Sequence, residues 1–432
     1  MNRELQILVL HGMGPKKGWF SGIADTELMF PKYDRKNRYL VHNCYLNPPT
    51  VLQKSEFDGV LIMSTFLDKI VGNGLNSKFS KRYDFLKKFD CVKIAFPQDD
   101  YWYSEVRDTF YVDWGIDRVY PVISPESWDE LIPRFLATGK SVKQGYTCYV
   151  TDYIRKAQSL SKPWNDRKNW VVYRATKIPK APNQFGIIKG IIGERFKDAL
   201  KDKTIGSIDI STDPRKIING DNWICFVSNS RSILGSNSGS SVLLRNHTVF
   251  KEINDYKLAN PIANLIEVEE KVIHENDRNK NYTAISPRNL EAASLGTLQL
   301  LVPGPYSGML KPYIHYVPLI EDCSNIDEVL SYLNDEKKAL KIVELCRENL
   351  LNMPELQVES LIKEIITLIG SKATEDTSQN SRLCFNKAER KFHRNIMYQM
   401  MMRPVRQLSR AIIMCIFPKK ILARVIEYRN RQ

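Results

Sequence analysis

The chain alternates short apolar runs with amphipathic stretches, and it does so twice. Runs at 7–10, 59–63, 91–96, 118–123 and 146–150 read as strands, with helical stretches at 82–89 and 127–136 between the later ones. Short strands separated by helices point to a parallel sheet with helices on its faces. The polar stretch QSLSKPWNDRKN at 158–169 interrupts this alternation and groups Ser, Pro, Asn and Asp as a linker does. The pattern then resumes, with strands at 170–173, 205–210, 233–234 and 298–302 and helical stretches at 189–200, 213–231 and 263–275. Long amphipathic helices are predicted at 325–351 and 354–369. At 432 residues the chain exceeds what one core usually absorbs. The expectation is therefore an α/β protein with an N-terminal Rossmann-like domain over 1–157 and a second over 168–372 that includes the closing helices. A basic amphipathic tail over 381–432 follows, and the cleft between the domains is the default ligand site.

Charge separates the tail from the rest. The net charge is +14, but residues 381–432 hold 13 Lys and Arg against 2 Asp and Glu, while the first 380 hold 50 against 47. Basicity is local, which argues against a body built to bind nucleic acid. The eight cysteines are scattered without a CxxC pair, a usage that suits reduced thiols in the cytoplasm rather than a disulfide frame or a zinc site. The run at 7–10 is too short for a signal peptide, and no stretch approaches 18 apolar residues, so neither a leader nor a membrane span is expected.

Three places carry the chemistry. The first is Leu8-Val-Leu-His-Gly-Met-Gly14, a strand ending in a Gly-rich turn, where His11 stands either as a ligand contact or as part of a structural turn. A hydrolase elbow is excluded, because Asn237 and Tyr306 fall where the Gly-x-Ser-x-Gly nucleophile belongs. The second is Phe96-Pro-Gln-Asp-Asp-Tyr-Trp-Tyr103 at the end of another strand. There Asp99 and Asp100 supply either a general base or a helix N-cap. The third runs from Ala284 to Leu319. Ser286-Pro287-Arg288 has the form of a capped helix start, whose free N–H groups and the Arg288 fork suit a phosphate. Glu291 lies one turn on, placed to accept hydrogen bonds from sugar hydroxyls, although an ordinary capped surface helix would read the same way. His315 reads by composition as a satisfied core histidine. No Asp-x-Asp is present, so a divalent metal held in that way is not expected.

Ile285-Ser-Pro-Arg-Asn-Leu-Glu-Ala-Ala293 and Gly304-Pro-Tyr-Ser-Gly-Met-Leu-Lys-Pro-Tyr-Ile-His-Tyr-Val-Pro-Leu319 closely resemble the C-terminal segment of bacterial GT-B glycosyltransferases of surface-polysaccharide biosynthesis. Leu234-Gly-Ser-Asn-Ser-Gly-Ser240 is similar to the glycine-serine stretch before that segment. Phe96-Pro-Gln-Asp-Asp-Tyr101 is similar to a QDEY-type stretch of the N-terminal half. The resemblance spans roughly residues 1 to 350. It implies two Rossmann-like domains facing across a cleft, a nucleotide-sugar donor on the second and an acceptor on the first. It implies donor-binding roles for Arg174, Lys189, Ser286, Arg288 and Glu291, and for Gly239, Ser240, Tyr306, Ser307, Gly308 and His315. Acceptor-side catalysis falls to Asp99, Asp100 or His11. Thr283 stands where the earlier glutamate of the family's two-glutamate motif belongs, so the stereochemical course is left open.

In the tail, Phe392, Ile396, Met397, Met400, Met401, Val405, Leu408, Ile412 and Ile413 recur at spacings near three and four among Arg and Lys. Such a helix either lies on an anionic membrane or packs on the body. With the resemblance, the expectation is a cytoplasmic glycosyltransferase, held peripherally at the membrane if the tail lies on it rather than on the body. It would act on a cell-surface glycan or glycolipid, without a metal or cofactor and without nucleic acid as partner. An inactive scaffold of the same fold and a nucleotide-dependent oxidoreductase are the rival readings.

Overall fold

The computed structural model describes residues 3–14, 21–175, 181–373 and 389–394. Its strands are β1 (Gln6–His11), β2 (Arg38–Asn43), β3 (Gly59–Ile62), β4 (Val92–Ala95), β5 (Arg118–Val119), β6 (Ser141–Val142), β7 (Asn169–Arg174), β8 (Ile208–Ser211), β9 (Ser230–Gly235), β10 (Ser238–Ser240), β11 (Tyr282–Ala284), β12 (Leu298–Leu301) and β13 (Val317–Pro318). Six form a parallel sheet in the order β2-β1-β3-β4-β5-β6, and five form a second in the order β13-β12-β9-β7-β8. Along β1 the side chains alternate, Leu8 and Leu10 facing one core and Ile7 and Val9 another, so the strand is apolar because helices cover both faces. Two Rossmann-like α/β domains face each other across a cleft, as expected.

In each sheet the strand order reverses direction at one place, between β1 and β3 in the first and between β7 and β9 in the second. A crevice opens outside the carboxyl ends of the strands at such a point. His11 ends β1 and Arg174 ends β7, so the sequence motifs sit at those ends for a topological reason.

The domains also touch directly. Leu244 N–H donates to Tyr101 O at 2.9 Å, and Tyr103 N–H donates to Leu244 O at 2.6 Å. Glu130 of the first domain accepts from Lys280 at 2.5 Å and from the Tyr282 hydroxyl.

Several elements differ from the sequence expectation. The sixth strand is Ser141–Val142, a short edge with no apolar run to announce it, whereas 146–150 holds only the bridge of Val150 to Gln357. β5 stops at Val119 because Pro121, lacking an N–H, cannot continue a ladder. The helix expected over 213–231 is confined to Asp221–Ser228. That over 325–351 divides at Asp335, whose side chain caps the second part by accepting from Lys338 N–H at 3.1 Å. The final helix, Val358–Lys372, packs not on the second domain but against the first sheet, through Val358, Leu361, Ile362, Ile365 and Ile369.

Of the tail, only 389–394 is described. It is helical, with Phe392 buried in the first domain's core and Glu389 paired with Arg38. The remaining tail residues lie outside the described ones. No described helix is long and apolar enough to cross a membrane. The six described cysteines are free thiols.

Candidate functional site

A cavity of about 320 Å³ opens between the domains. Its second-domain wall begins at Arg174, on the last position of β7. The five N–H donors of this guanidinium are all engaged. Two meet the Asp209 carboxylate at 2.8 and 2.9 Å, and the others meet the carbonyls of Lys216, Tyr173 and Asp209 at 3.1, 2.8 and 2.9 Å. The Phe226 ring lies 4.4 Å away. With no donor left for a ligand, Arg174 serves the wall as structure. What it presents is its carbonyl, which accepts from Arg288 Nη1 at 2.6 Å.

Arg288 follows Pro287 at the start of the helix Pro287–Ser294. The Asn289 side chain accepts from Ser286 N–H at 2.9 Å and donates to Gln299 at 2.7 Å, which fixes the entry to the helix. The Arg288 guanidinium lies 5.0 Å from the Trp223 ring; among the described residues it forms no ion pair, although its charge acts on Glu291. Such a cation, beside the positive end of a helix, is a ready site for an anion.

Lys189 projects from the helix Gln184–Ala199, which is capped by the Asn183 side chain. Its ammonium has no hydrogen bond or ion pair among the described residues. Burial chiefly, and then the charge of Arg288, bring its pKa down to about 8, against the opposing pull of Asp99 from the first domain. Two cations without an ion pair among the described residues therefore share one wall, with Asp99 and Glu291 acting on them from farther off.

Glu291 is buried between the domains. Its carboxylate accepts from the Trp223 indole N–H at 2.7 Å and from the Tyr153 hydroxyl at 3.0 Å. Burial pushes its pKa up, and these hydrogen bonds and Arg288 work the other way. Gly22 of the first domain faces it, since a Cβ there would stand 3.7 Å from Glu291 Oε1. Trp223, Tyr153, Ile217, Ile218 and Gly22 also line the cavity, as does Asp213, which is paired with Arg215; the sequence reading passed over them. Only the amphipathic pattern marked Trp223, and it reads there as core.

The structure thus brings Arg174, Lys189, Ser286, Arg288 and Glu291 together. The remaining donor-side candidates lie elsewhere. Gly239 sits in the antiparallel pair β10-β11 with a φ of 141°, where a Cβ would come within 1.8 Å of Tyr282 O. Its carbonyl accepts from Asn183 at 2.8 Å, bracing the helix that carries Lys189. The buried Ser240 hydroxyl donates to Val242 O at 2.8 Å. Tyr306 is buried with its hydroxyl on Val302 O at 2.6 Å. The Ser307 hydroxyl accepts from Ile285 N–H at 2.9 Å, so the turn through Gly308 fixes the approach to the Pro287 helix. His315 accepts from Lys311 N–H at 3.1 Å and pairs with the Asn349 side chain at 2.9 Å; burial chiefly lowers its pKa. It anchors its loop to the helix Glu336–Asn352 and lies outside the cavity.

On the first domain, the charge of Asp99 reaches Lys189 across the cleft. Its backbone has a φ of 51°, and its carboxylate accepts from the Tyr101 hydroxyl at 2.6 Å. Asp100 turns away into the protein, accepting from the N–H groups of Val122 at 2.9 Å and Ile123 at 3.4 Å. Burial raises its pKa to about 6. Neither aspartate caps the next helix; Tyr103 holds that position. His11 is buried and its pKa is lowered to about 4 by that burial, leaving it neutral near pH 7. Its Nδ1 accepts from Met13 N–H at 3.4 Å.

Beside His11, Gly12 donates to the Thr65 hydroxyl at 2.8 Å, and a Cβ on Gly12 would meet Thr65 O at 2.3 Å. Glu27, absent from the sequence reading, holds this contact. It accepts from Ser64 Oγ at 2.7 Å, Thr65 N–H at 3.1 Å and Thr65 Oγ1 at 2.5 Å, and burial raises its pKa to about 7. No three His, Cys, Asp or Glu side chains gather as a metal site among the described residues.

No family model matches the chain, and no curated protein matches it. Solved structures of similar shape include an α-glucosyltransferase in complex with UDP and a 13-mer DNA, at 11% identity over 85% of this chain and 100% of that one, with a TM-score of 0.46. An α1,3-fucosyltransferase is similar at 11% identity over 85% of this chain and 90% of that one, with a TM-score of 0.44. Alr3699/HepE of Anabaena, in complex with UDP and glucose, is similar at 12% identity over 85% of this chain and 100% of that one, with a TM-score of 0.42.

Proposed function

We propose that this protein is a glycosyltransferase that moves a sugar from a nucleotide-sugar donor to a cell-surface glycan or glycolipid. One observation carries the reading: Lys189 and Arg288, neither in an ion pair among the described residues, converge at a helix N-terminus on an interdomain cavity that Glu291 also lines. As the bond between sugar and diphosphate breaks, negative charge grows on the leaving oxygen, and preoriented cations in a site shielded from water stabilise it most at that moment. Leaving-group stabilisation of this kind is our reading of how the enzyme works without a metal. Glu291, held by Trp223 and Tyr153, has lone pairs left to accept from donor hydroxyls. Asp99 faces Lys189 and is the acceptor-side residue placed closest to this chemistry. Asp100, tied to two amides, holds the loop, and His11 shapes the opposite turn. The basic tail would hold the enzyme at the inner face of the cell membrane, within reach of a lipid-linked acceptor.

A thermal-shift screen against UDP, GDP, TDP, CMP, NAD and NADP tests the reading, because a ligand that binds only the folded state raises its apparent stability. Stabilisation by one nucleoside diphosphate, lost in Arg288→Ala, is the expected result. A shift with NAD or NADP alone would replace the transferase with an oxidoreductase. No shift at all would favour a scaffold that kept the fold.

A further inference from the structure

The segment from the short helix Lys78–Lys81 through the 3-10 turn Asp84–Lys88 has two faces. Ser80, Tyr83 and Leu86 recur every third residue and are buried, while Lys78, Lys81, Arg82, Lys87 and Lys88 are exposed. Of the carboxylates on this segment, Asp84 pairs with Lys87 at 2.8 Å, and Lys81, Arg82 and Lys88 have no acidic partner among the described residues. Asp90, just beyond, and Glu56, which lines one groove with Lys88 and Phe89, are the exposed acids nearby, so the basic residues outnumber them on this face.

The described part of the tail docks beside this segment. Phe392 meets His42 edge-on at 6.2 Å, and His42 Nε2 lies 3.0 Å from the Tyr83 hydroxyl at the segment's centre. Glu389 is engaged by Arg38, which leaves Arg390, Lys391 and Arg394 exposed. Two basic elements distant in sequence are thus joined through the buried His42 on one side of the first domain.

We propose that this face of the first domain is the surface that binds anionic lipid head groups. The reading extends membrane contact from the tail to the folded body, and it needs no sugar transfer to be true. Cations alternating with Phe79, Phe85 and Phe89, all half-buried, suit an interface where charge meets head groups and apolar edges lie just beneath. A single-stranded nucleic acid would need open ring faces to stack on. These phenylalanines are engaged with protein rings instead: Phe79 with Tyr83 at 5.8 Å, Phe85 with Phe89 at 5.5 Å and Phe89 with Phe57 at 5.6 Å.

The test uses the full chain with Lys81, Arg82 and Lys88 all changed to Gln. Sedimentation is measured with vesicles of phosphatidylcholine alone and with phosphatidylglycerol added. The unaltered chain should bind only the anionic vesicles and leave them at high salt. The triple variant should bind about 100-fold more weakly, since each cation near the surface contributes roughly a factor of five, while its melting temperature stays unchanged. Undiminished binding by the variant would overturn the proposal and leave the tail as the sole contact. Failure of the unaltered chain to bind would remove both, and preferential binding of DNA at equal salt would replace lipid as the partner. None of these outcomes depends on the nucleotide screen, so the two readings fail separately.

Discussion

Arg288 donates a 2.6 Å hydrogen bond to the backbone carbonyl of Arg174, while the Arg174 side chain is taken up by Asp209 and three carbonyls. Two arginines that look equivalent in sequence thus have opposite duties: one builds the wall, and the other stands ready for an anion.

Arg288→Ala should therefore abolish stabilisation by a nucleoside diphosphate with little change in the melting temperature of the free protein. Asp209→Ala should do the reverse. It leaves the Arg174 guanidinium on its carbonyls and lowers stability by about 1 kcal/mol, since the carboxylate is half exposed. Nucleotide binding should fall only several-fold. Calorimetric titration and thermal melts of both variants separate the two duties, and equal loss of binding in both would refute them.

Lys189 sets a pH dependence. Its pKa, about 8 against an ordinary 10.5, means the folded protein releases this proton earlier than the unfolded chain does. The cost of burying the charge is present below pH 8 and disappears as the pH rises toward 10.5, so this group makes the free protein more stable across that window. Diphosphate binding needs the charged form, so affinity should fall as the pH rises above about 8, by up to tenfold per unit. Lys189→Met should bind weakly throughout and lack this slope. Titrations from pH 6.5 to 10 would show it, and a slope retained in the variant would assign it to another group.

Glu27 works in the opposite range. Its folded pKa of about 7 lies above the ordinary 4.5, so the folded state holds this proton more tightly than the unfolded chain. Stability from this group is present in full below pH 4.5 and is lost as the pH rises toward 7. Glu27→Gln, which keeps an acceptor for Ser64 and the Thr65 amide, should flatten urea-unfolding stability across that window relative to the unaltered protein. An unchanged profile would mean the carboxyl titrates normally.

His315→Ala should cost about 1–2 kcal/mol of stability, because Lys311 N–H loses a buried acceptor and Asn349 a partner. Nucleotide affinity should hold within a few-fold. A large loss of affinity at unchanged stability would return His315 to the donor site.

What sequence reasoning reached, it reached through local signals. Ser286, Pro287 and Arg288 announce a helix start because capping chemistry acts over three or four residues, and Glu291 follows on that helix by periodicity. Lys189 was reachable as a helix residue after the first strand of the second domain. Trp223 and Tyr153, which hold Glu291 across separations of 68 and 138 residues, carried no comparable signal, since a partly buried aromatic looks the same in a core and in a cavity wall.

From its sequence alone, then, this chain is a repeated βα protein with a basic tail, because hydrophobic periodicity and charge composition are properties of neighbouring residues. Tertiary structure decided which charges enter ion pairs. Asp209 pairs with Arg174 across 35 residues, whereas Lys189 and Arg288 form no ion pair among the described residues. The final helix crosses to the first sheet because its apolar stripe fits there, and Phe392 brings the tail beside Tyr83. Pairing and packing are through-space relationships, and the free energy of each depends on a partner that the linear order does not name.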